Sequence, residues 1–272
     1  MNDNINGQIS ILKENEKEKT KDLFSLAKTC IKEKKFEDAK NYYKLILDNE
    51  PENLEALYMS GFLYMKNNLY KNALEYFNKF INLKNDNPFV YEYMGIMDAE
   101  NRTEYFNKAI EINDNTKIEK KDYSRYIYIA FKTYEFGEYD IALNYSNYIY
   151  NVRQINGIIN LLGCIYYRKG DYDRALSLFH DLNFIYEKSN IYILCNISSC
   201  YRKKNSNNMA IRYLEKAKEI DDNNKLIYYN LGSIYTDMGN KKSALENIDK
   251  ALSIDSDYED AVKLREYINN LD

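Results

Sequence analysis

The segment Leu162 to Phe179, LGCIYYRKGDYDRALSLF, returns without a gap further along the chain as LGSIYTDMGNKKSALENI, Leu231 to Ile248. A chain that repeats itself at a fixed spacing builds its fold from one supersecondary unit used many times, and this limits the architecture more than composition does. The two segments lie two periods apart, for a period of about 34 residues. Six full copies can be laid down, at 20–53, 54–87, 123–156, 156–189, 191–224 and 225–258, with Asn156 shared by two of them. A further stretch, 88–122, lies between the second and third full copies.

Each copy has the pattern of two helices joined by a turn. A small-residue slot on the second helix holds Ala39, Ala73, Ala142, Ala175, Ala210 and Ala244, where a larger side chain would force paired helices apart. Four residues later an aromatic slot holds Tyr43, Phe77, Ser146, Phe179, Leu214 and Ile248, apolar in all but one copy. Glycine in a helix is unfavourable by about 1 kcal/mol and needs a reason. Gly61, Gly95, Gly163 and Gly232 share a close-contact slot on the first helix, and Gly137, Gly170 and Gly239 share the turn.

The pattern resembles the tetratricopeptide repeat, whose first helix carries W-x2-L-G-x2-Y and whose second carries A-x3-F. The tryptophan slot is apolar here without tryptophan: Leu23, Leu57, Tyr126, Ile159, Leu194 and Tyr228. The resemblance implies an all-α fold, a right-handed superhelical solenoid of antiparallel helix pairs. Seven repeats are expected over 20–258, the third (88–122) degenerate. Gly95 and Ala109 stand closer together than the matching slots of full copies, Gly61 and Phe80 or Gly163 and Leu182, so part of the repeat is missing between them. Asn101-x-x-Glu104 reads as a helix N-terminal signal, so the second helix of this repeat is expected to start late and be short. The charged stretch 117–122 then restores the register, with a local kink. Residues 259–272 place Ala261, Leu264, Tyr267, Ile268 and Leu271 at helical spacing and resemble the solvating cap that repeat arrays need. Residues 1–19 read as a polar tail, or at most a short helix.

In the resembled family the first helices line a concave groove that holds a partner segment. Carried over position by position, that face contains Tyr58, Phe62, Tyr93, Tyr128, Phe131, Tyr134, Tyr167, Tyr192 and Tyr229. Tyrosine combines apolar area with a hydroxyl at low entropic cost, which suits recognition; with 29 tyrosines in the chain, packing between helices is the competing explanation. Asn160, Asn196 and Asn230 fall on the same face and resemble the asparagine ladder by which some family members grip a peptide backbone. Arg168, Arg202 and Lys203 cluster near the ends of two adjacent first helices and would select an acidic partner, or form a solvated rim. The carboxylate clamp of chaperone-binding members is not matched: its positions hold Phe24, Lys28, Met59, Phe89 and Tyr93 in the first three repeats, and one matching asparagine in the last three.

Composition excludes other classes. A net charge of -4, from 38 basic and 42 acidic residues spread throughout, offers no footprint for nucleic acid or an anionic membrane. No apolar run reaches the length of a membrane span, and the start of the chain lacks an apolar leader segment, so membrane insertion is not expected and the location reads as cytoplasmic. The four cysteines, Cys30, Cys164, Cys195 and Cys200, lack CxxC spacing. Cys164 and Cys195, on neighbouring first helices, are a candidate thiol pair or simply small apolar residues. One histidine, His180, rules out an imidazole-based triad or multi-histidine metal site within the chain. No phosphate-binding loop motif occurs. The expectation is a non-enzymatic adaptor with no cofactor, its partner a protein or peptide segment, itself a monomer or weakly self-associating. The alternative is a structural or self-assembling solenoid with no dedicated ligand.

Overall fold

A computed structural model of the chain describes residues 18–115, 123–187 and 190–271. Among these residues all regular structure is helical, and consecutive helices pack as antiparallel pairs. The residues form two compact units, divided between Lys121 and Asp122.

The first unit contains α1 (18–32), α2 (Phe36–Asn49), α3 (Leu54–Lys66), α4 (Tyr70–Leu83), α5 (Pro88–Met97) and α6 (Arg102–Asn115). The second contains α7 (Tyr123–Glu135), α8 (Tyr139–Val152), α9 (Asn156–Arg168), α10 (Tyr172–Ile185), α11 (Ile191–Lys203), α12 (Asn207–Ile220), α13 (Lys225–Asp237), α14 (Lys241–Ile254) and α15 (Glu259–Asn269).

The glycine and aromatic slots meet. A Cβ on Gly61 would lie 2.7 Å from Phe77, on Gly95 2.9 Å from Phe106, on Gly163 2.5 Å from Phe179 and on Gly232 2.6 Å from Ile248. Each contact is closer than a real Cβ tolerates, so the missing side chain is what lets each ring or branched chain seat between its two helices. Where the aromatic slot holds Ser146, the facing position is Ala130 rather than glycine, and both are buried.

Helix starts and turns follow from short polar residues. Asn53, Asn87, Asn190 and Asn224 precede four first helices, and each side chain accepts a hydrogen bond from a backbone N–H of the first turn. The turn inside each full copy contains one residue of positive φ: Lys34, Asn68, Gly137, Gly170, Asn205 and Gly239. Glycine takes this conformation freely, asparagine at little cost, and lysine at about 1 kcal/mol or more.

The third repeat corrects part of the expectation. α6 does start late, four residues before Phe106 where α4 and α10 start seven before their aromatic slots, but it is not short. It has 14 residues, as α4 and α10 do, because it runs on past its usual end. The shortened element is α5, with 10 residues against 13 in α3 and α9. The deletion therefore removes the ends of both helices next to their turn and spares the Gly95–Phe106 contact. Asp98 closes the turn, its carboxylate accepting from the backbone of Glu100 and Asn101 and from the Asn101 side chain. The charged stretch 117–122, with its kink, lies outside the described residues, as do residues 1–17 of the N-terminal segment.

At the C-terminus α15 covers α14, burying Ala261 and Ile268 against Ala244, Ile248 and Ala251. Tyr267 of the expected apolar stripe is exposed instead.

Candidate functional site

The first helices of the first unit present Tyr58 and Phe62 on α3 and Tyr93 on α5. These three rings are half-buried and pack on one another: Tyr93 lies 6.5 Å from Tyr58 and 5.9 Å from Phe62, between centroids, and stacks on buried Phe77 at 5.9 Å. They belong to the same apolar cluster as Leu57, Ala73 and Met94. The face also carries acid. Glu55 on α3 pairs with Lys28 of α1, and Glu92 on α5 is buried.

The second unit differs. Tyr128 and Phe131 on α7 are 49% and 39% exposed, and Tyr192 at the start of α11 is 64% exposed. Tyr167 on α9 packs edge-on against Tyr172, and Tyr229 on α13 packs at a tilt against Tyr258. Among the candidate amides, Asn160 of α9 and Asn196 of α11 come together, the Asn196 Nδ2 donating to Asn160 Oδ1 at 3.4 Å. Asn230 of α13 does not extend the row, because its Nδ2 donates to the Leu226 carbonyl of its own helix.

A pocket of about 150 Å³ opens between α7, α9 and α11. Its lining includes the ring of Phe179, the walls Tyr134 and Tyr167, and the polar groups of Cys164, Arg168, Asn196 and Ser199. Sequence reasoning does not single out Ser199 or Phe179 as groove residues. Ser199 occupies the same slot of its repeat as Cys164 and Phe131, and slot position is the signal that finds it.

The cations divide. Arg202 is held by Asp237 of the next first helix through two hydrogen bonds of 2.5 and 2.9 Å. Arg168 is exposed and lines the pocket together with Tyr134 of α7. Lys203 is exposed. Burial raises the Tyr134 phenol and the Cys164 thiol above their ordinary pKa values.

The candidate thiol pair is not brought together. Cys164 packs on the core cluster that contains Cys200, whereas Cys195 lies in a different cluster, between α11, α12 and α13. Burial pushes the Cys195 and Cys200 thiols up to about 12, so neither is a thiolate at neutral pH. His180 is partly buried against the rings of Tyr201 and Tyr213, and that burial lowers its pKa. Among the described residues, no group of three or more His, Cys, Asp or Glu side chains could hold a metal ion, and no helix is long and apolar enough to cross a membrane.

No curated protein matches the sequence significantly. Among solved structures, the C-terminal part of a TPR repeat-containing protein from Cytophaga hutchinsonii is similar at 16% identity and TM-score 0.58, over 89% of this chain and 98% of that one. A tetratricopeptide repeat protein from Parabacteroides merdae is similar at 16% identity and TM-score 0.52, over 92% and 99%. A chain of the Naa15/Naa10 complex bound to HypK-THB is similar at 13% identity and TM-score 0.56, over 93% of this chain but 40% of that one. This protein likewise spans less than half, 47%, of a chain of the Cut9–Hcn1 assembly, at 16% identity and TM-score 0.48. At such identities the likeness shows the fold alone. Tetratricopeptide repeat profiles match residues 23–53, 54–87, 159–182, 191–224 and 226–265, more than half of the sequence. With the glycine-to-aromatic contacts of the helix pairs, these matches make the chain a member of the tetratricopeptide repeat family.

Proposed function

We propose that the protein is a non-enzymatic adaptor that holds an extended or helical segment of a partner protein along the first-helix face of its second unit. Repeats of this family serve as protein-interaction scaffolds, and the observation that supports this particular face is the open pocket beside the Asn160–Asn196 amide pair, with Tyr128, Phe131 and Tyr192 exposed on the same helices. Exposed aromatic rings on a preformed helical surface give contact area at little entropic cost. The amides supply donors and acceptors that suit a peptide backbone. Four free thiols fit a reducing, cytoplasmic location. A display selection for peptide ligands, followed by binding measurements on Tyr192→Ala and Phe131→Ala, tests the reading. Weakened binding with unchanged helicity supports it; wild-type affinity in both variants contradicts it.

The self-assembling alternative has its own support. Phe184, near the end of α10, is 81% exposed and adjoins exposed Ile185 and Tyr186. An apolar cluster of this kind marks a contact surface. Light scattering across a range of concentrations separates the two readings: a constant monomer mass favours the adaptor, and a mass that rises until Phe184→Ser abolishes it favours assembly.

A further inference from the structure

We infer that two copies of the chain pair edge to edge through the second-helix ends of the second unit, about a two-fold axis beside Phe184. The inference rests on the self-assembling reading and adds to it the partner, a second copy, and the closed geometry of the pair. Polarity, slot order and charge carry it.

The last turn of α10 has its polarity reversed. Asn183 is buried with its Oδ1 unpartnered, and Phe184, the next residue, is 81% exposed. Four of the five other full copies hold an apolar residue in the slot of Asn183: Leu47, Ile81, Tyr150 and Leu252. All five hold an exposed polar residue in the slot of Phe184, Asn151 and Glu219 in the two neighbouring copies. Burial within the chain therefore does not explain a phenylalanine here, whereas a contact outside it does.

The slot order puts Phe184 at the middle of a strip. Val152, Ile185 and Ile220 are the final residues of α8, α10 and α12, and all three are exposed. Because first and second helices alternate in direction, these three ends fall on one edge of the unit, with that of α10 between the other two. The residue after each is Arg153, Tyr186 and Asp221 in turn. The edge thus reads cation, ring, anion, each beside an exposed apolar residue, and Glu219 and Asp222 add acid at the anionic end. Among the described residues, Arg153, Asp221 and Asp222 have no ion-pair partner.

Such an edge is complementary to itself. A two-fold rotation about the end of α10 stacks Phe184 on its own copy and sets Val152 against Ile220 of the second copy. It also brings Arg153 to Asp221 and Asp222 of the second copy, and symmetry makes the same contacts a second time. The rotation closes after two copies, so the product is a dimer and not a filament. Glu187, exposed beside Tyr186, meets its own copy near the axis and opposes the pairing. With apolar cover from three helix ends, the interface is on the order of 1,000 Å², the low end for a specific contact, for a dissociation constant of roughly tens of micromolar. None of these residues lines the pocket between α7, α9 and α11, so the pair leaves the pocket open.

Sedimentation of the full chain from about 1 to about 300 µM tests the pair. The mass should rise and level at the dimer, and Phe184→Ser, with unchanged helicity, should stay monomeric throughout. Arg153→Asp alone, and Asp221→Arg with Asp222→Arg in one chain, should each weaken self-association roughly tenfold, because like charges then meet twice per dimer. Mixing these two variants should restore wild-type affinity, since each junction of the mixed pair again joins opposite charges. A mass that climbs past the dimer, a dimer insensitive to Phe184→Ser, or charge variants that fail to weaken it or to recover on mixing overturns the inference while self-association stands. A chain that is monomeric at every concentration overturns both the pair and the self-assembling reading.

Discussion

The first-helix faces of the two units use the same repeat slots for different ends. On α3 and α5 the slots are filled by Tyr58, Phe62 and Tyr93, which pack on each other and on Phe77. Their aromatic surface goes into the unit's own stability. On α7, α9 and α11 the equivalent slots hold a mixture of exposed rings, amides and small groups, and the mixture leaves a pocket. A tyrosine at a groove position is thus ambiguous until its neighbours are known: three large residues in adjacent repeats close a face, while Cys164 and Ser199 between Tyr134 and Tyr167 open one.

That contrast can be broken by exchanging probes between the faces. The largest effect expected is in the first unit, where Tyr93→Ala should destabilise the protein by about 2–4 kcal/mol, through lost burial and ring contacts, and leave peptide binding intact. Tyr192→Ala should do the opposite, changing stability by less than about 0.5 kcal/mol while weakening binding. Urea unfolding alongside titration of the selected peptide reads both, and a reversal of the two phenotypes would exchange the roles assigned to the units.

Next in size is Gly163→Ala. The added Cβ would lie 2.5 Å from the Phe179 ring, which borders the pocket, so we expect about 1–3 kcal/mol of destabilisation by overpacking, with altered peptide affinity. Gly61→Ala, against Phe77 at 2.7 Å, should cost a similar amount without touching affinity. Thermal melts of both variants check the first part, and peptide titration the second.

The amides come third. Asn196→Ala should lower affinity by about 0.5–1.5 kcal/mol, and a double-mutant cycle with Asn160→Ala should show coupling, because the two side chains share a hydrogen bond. Asn230→Ala should have the smaller effect, since its amide already donates to Leu226. Equal, additive losses at Asn196 and Asn230 would restore the longer ladder.

How much of this is legible in the sequence depends on whether the information sits within one repeat or between repeats. The glycine slot, the alanine slot and the aromatic slot are defined by spacing along one helix pair; the alanines are all buried, and the glycines meet the aromatic slot, Gly61 with Phe77, Gly163 with Phe179, Gly232 with Ile248. The deficit of the third repeat is also visible, but the way it divides between α5 and α6 is not, because both helices could lose residues at the turn and only α6 has sequence with which to extend. Contacts one repeat apart are harder still. Arg202 reads as a free cation until Asp237, far along the chain, is placed at the end of the next first helix. Asn196 reads as the twin of Asn230, in the same slot, but bonds to Asn160 in an adjacent one. The cysteines fail for the same reason: a shared element type puts Cys164 with Cys195, and the side-chain directions put it near Cys200.

The smallest effect expected concerns the turns. Lys34 occupies the positive-φ position, at 61°, that Gly137, Gly170 and Gly239 fill in other repeats. Lys34→Gly should stabilise the protein by up to about 1 kcal/mol, and Asn205→Gly, at 56°, by less. A destabilised Lys34→Gly variant would mean that the lysine side chain contributes more than its backbone conformation costs.

The central claim is that the second unit's first-helix face binds and the first unit's does not. Amide hydrogen exchange, measured on the full chain with and without a saturating selected peptide, tests it most directly. Binding that orders α7, α9 and α11 should slow exchange in those helices and leave α3 and α5 unchanged. Slowed exchange in α3 and α5, with α9 and α11 unaffected, would contradict the account.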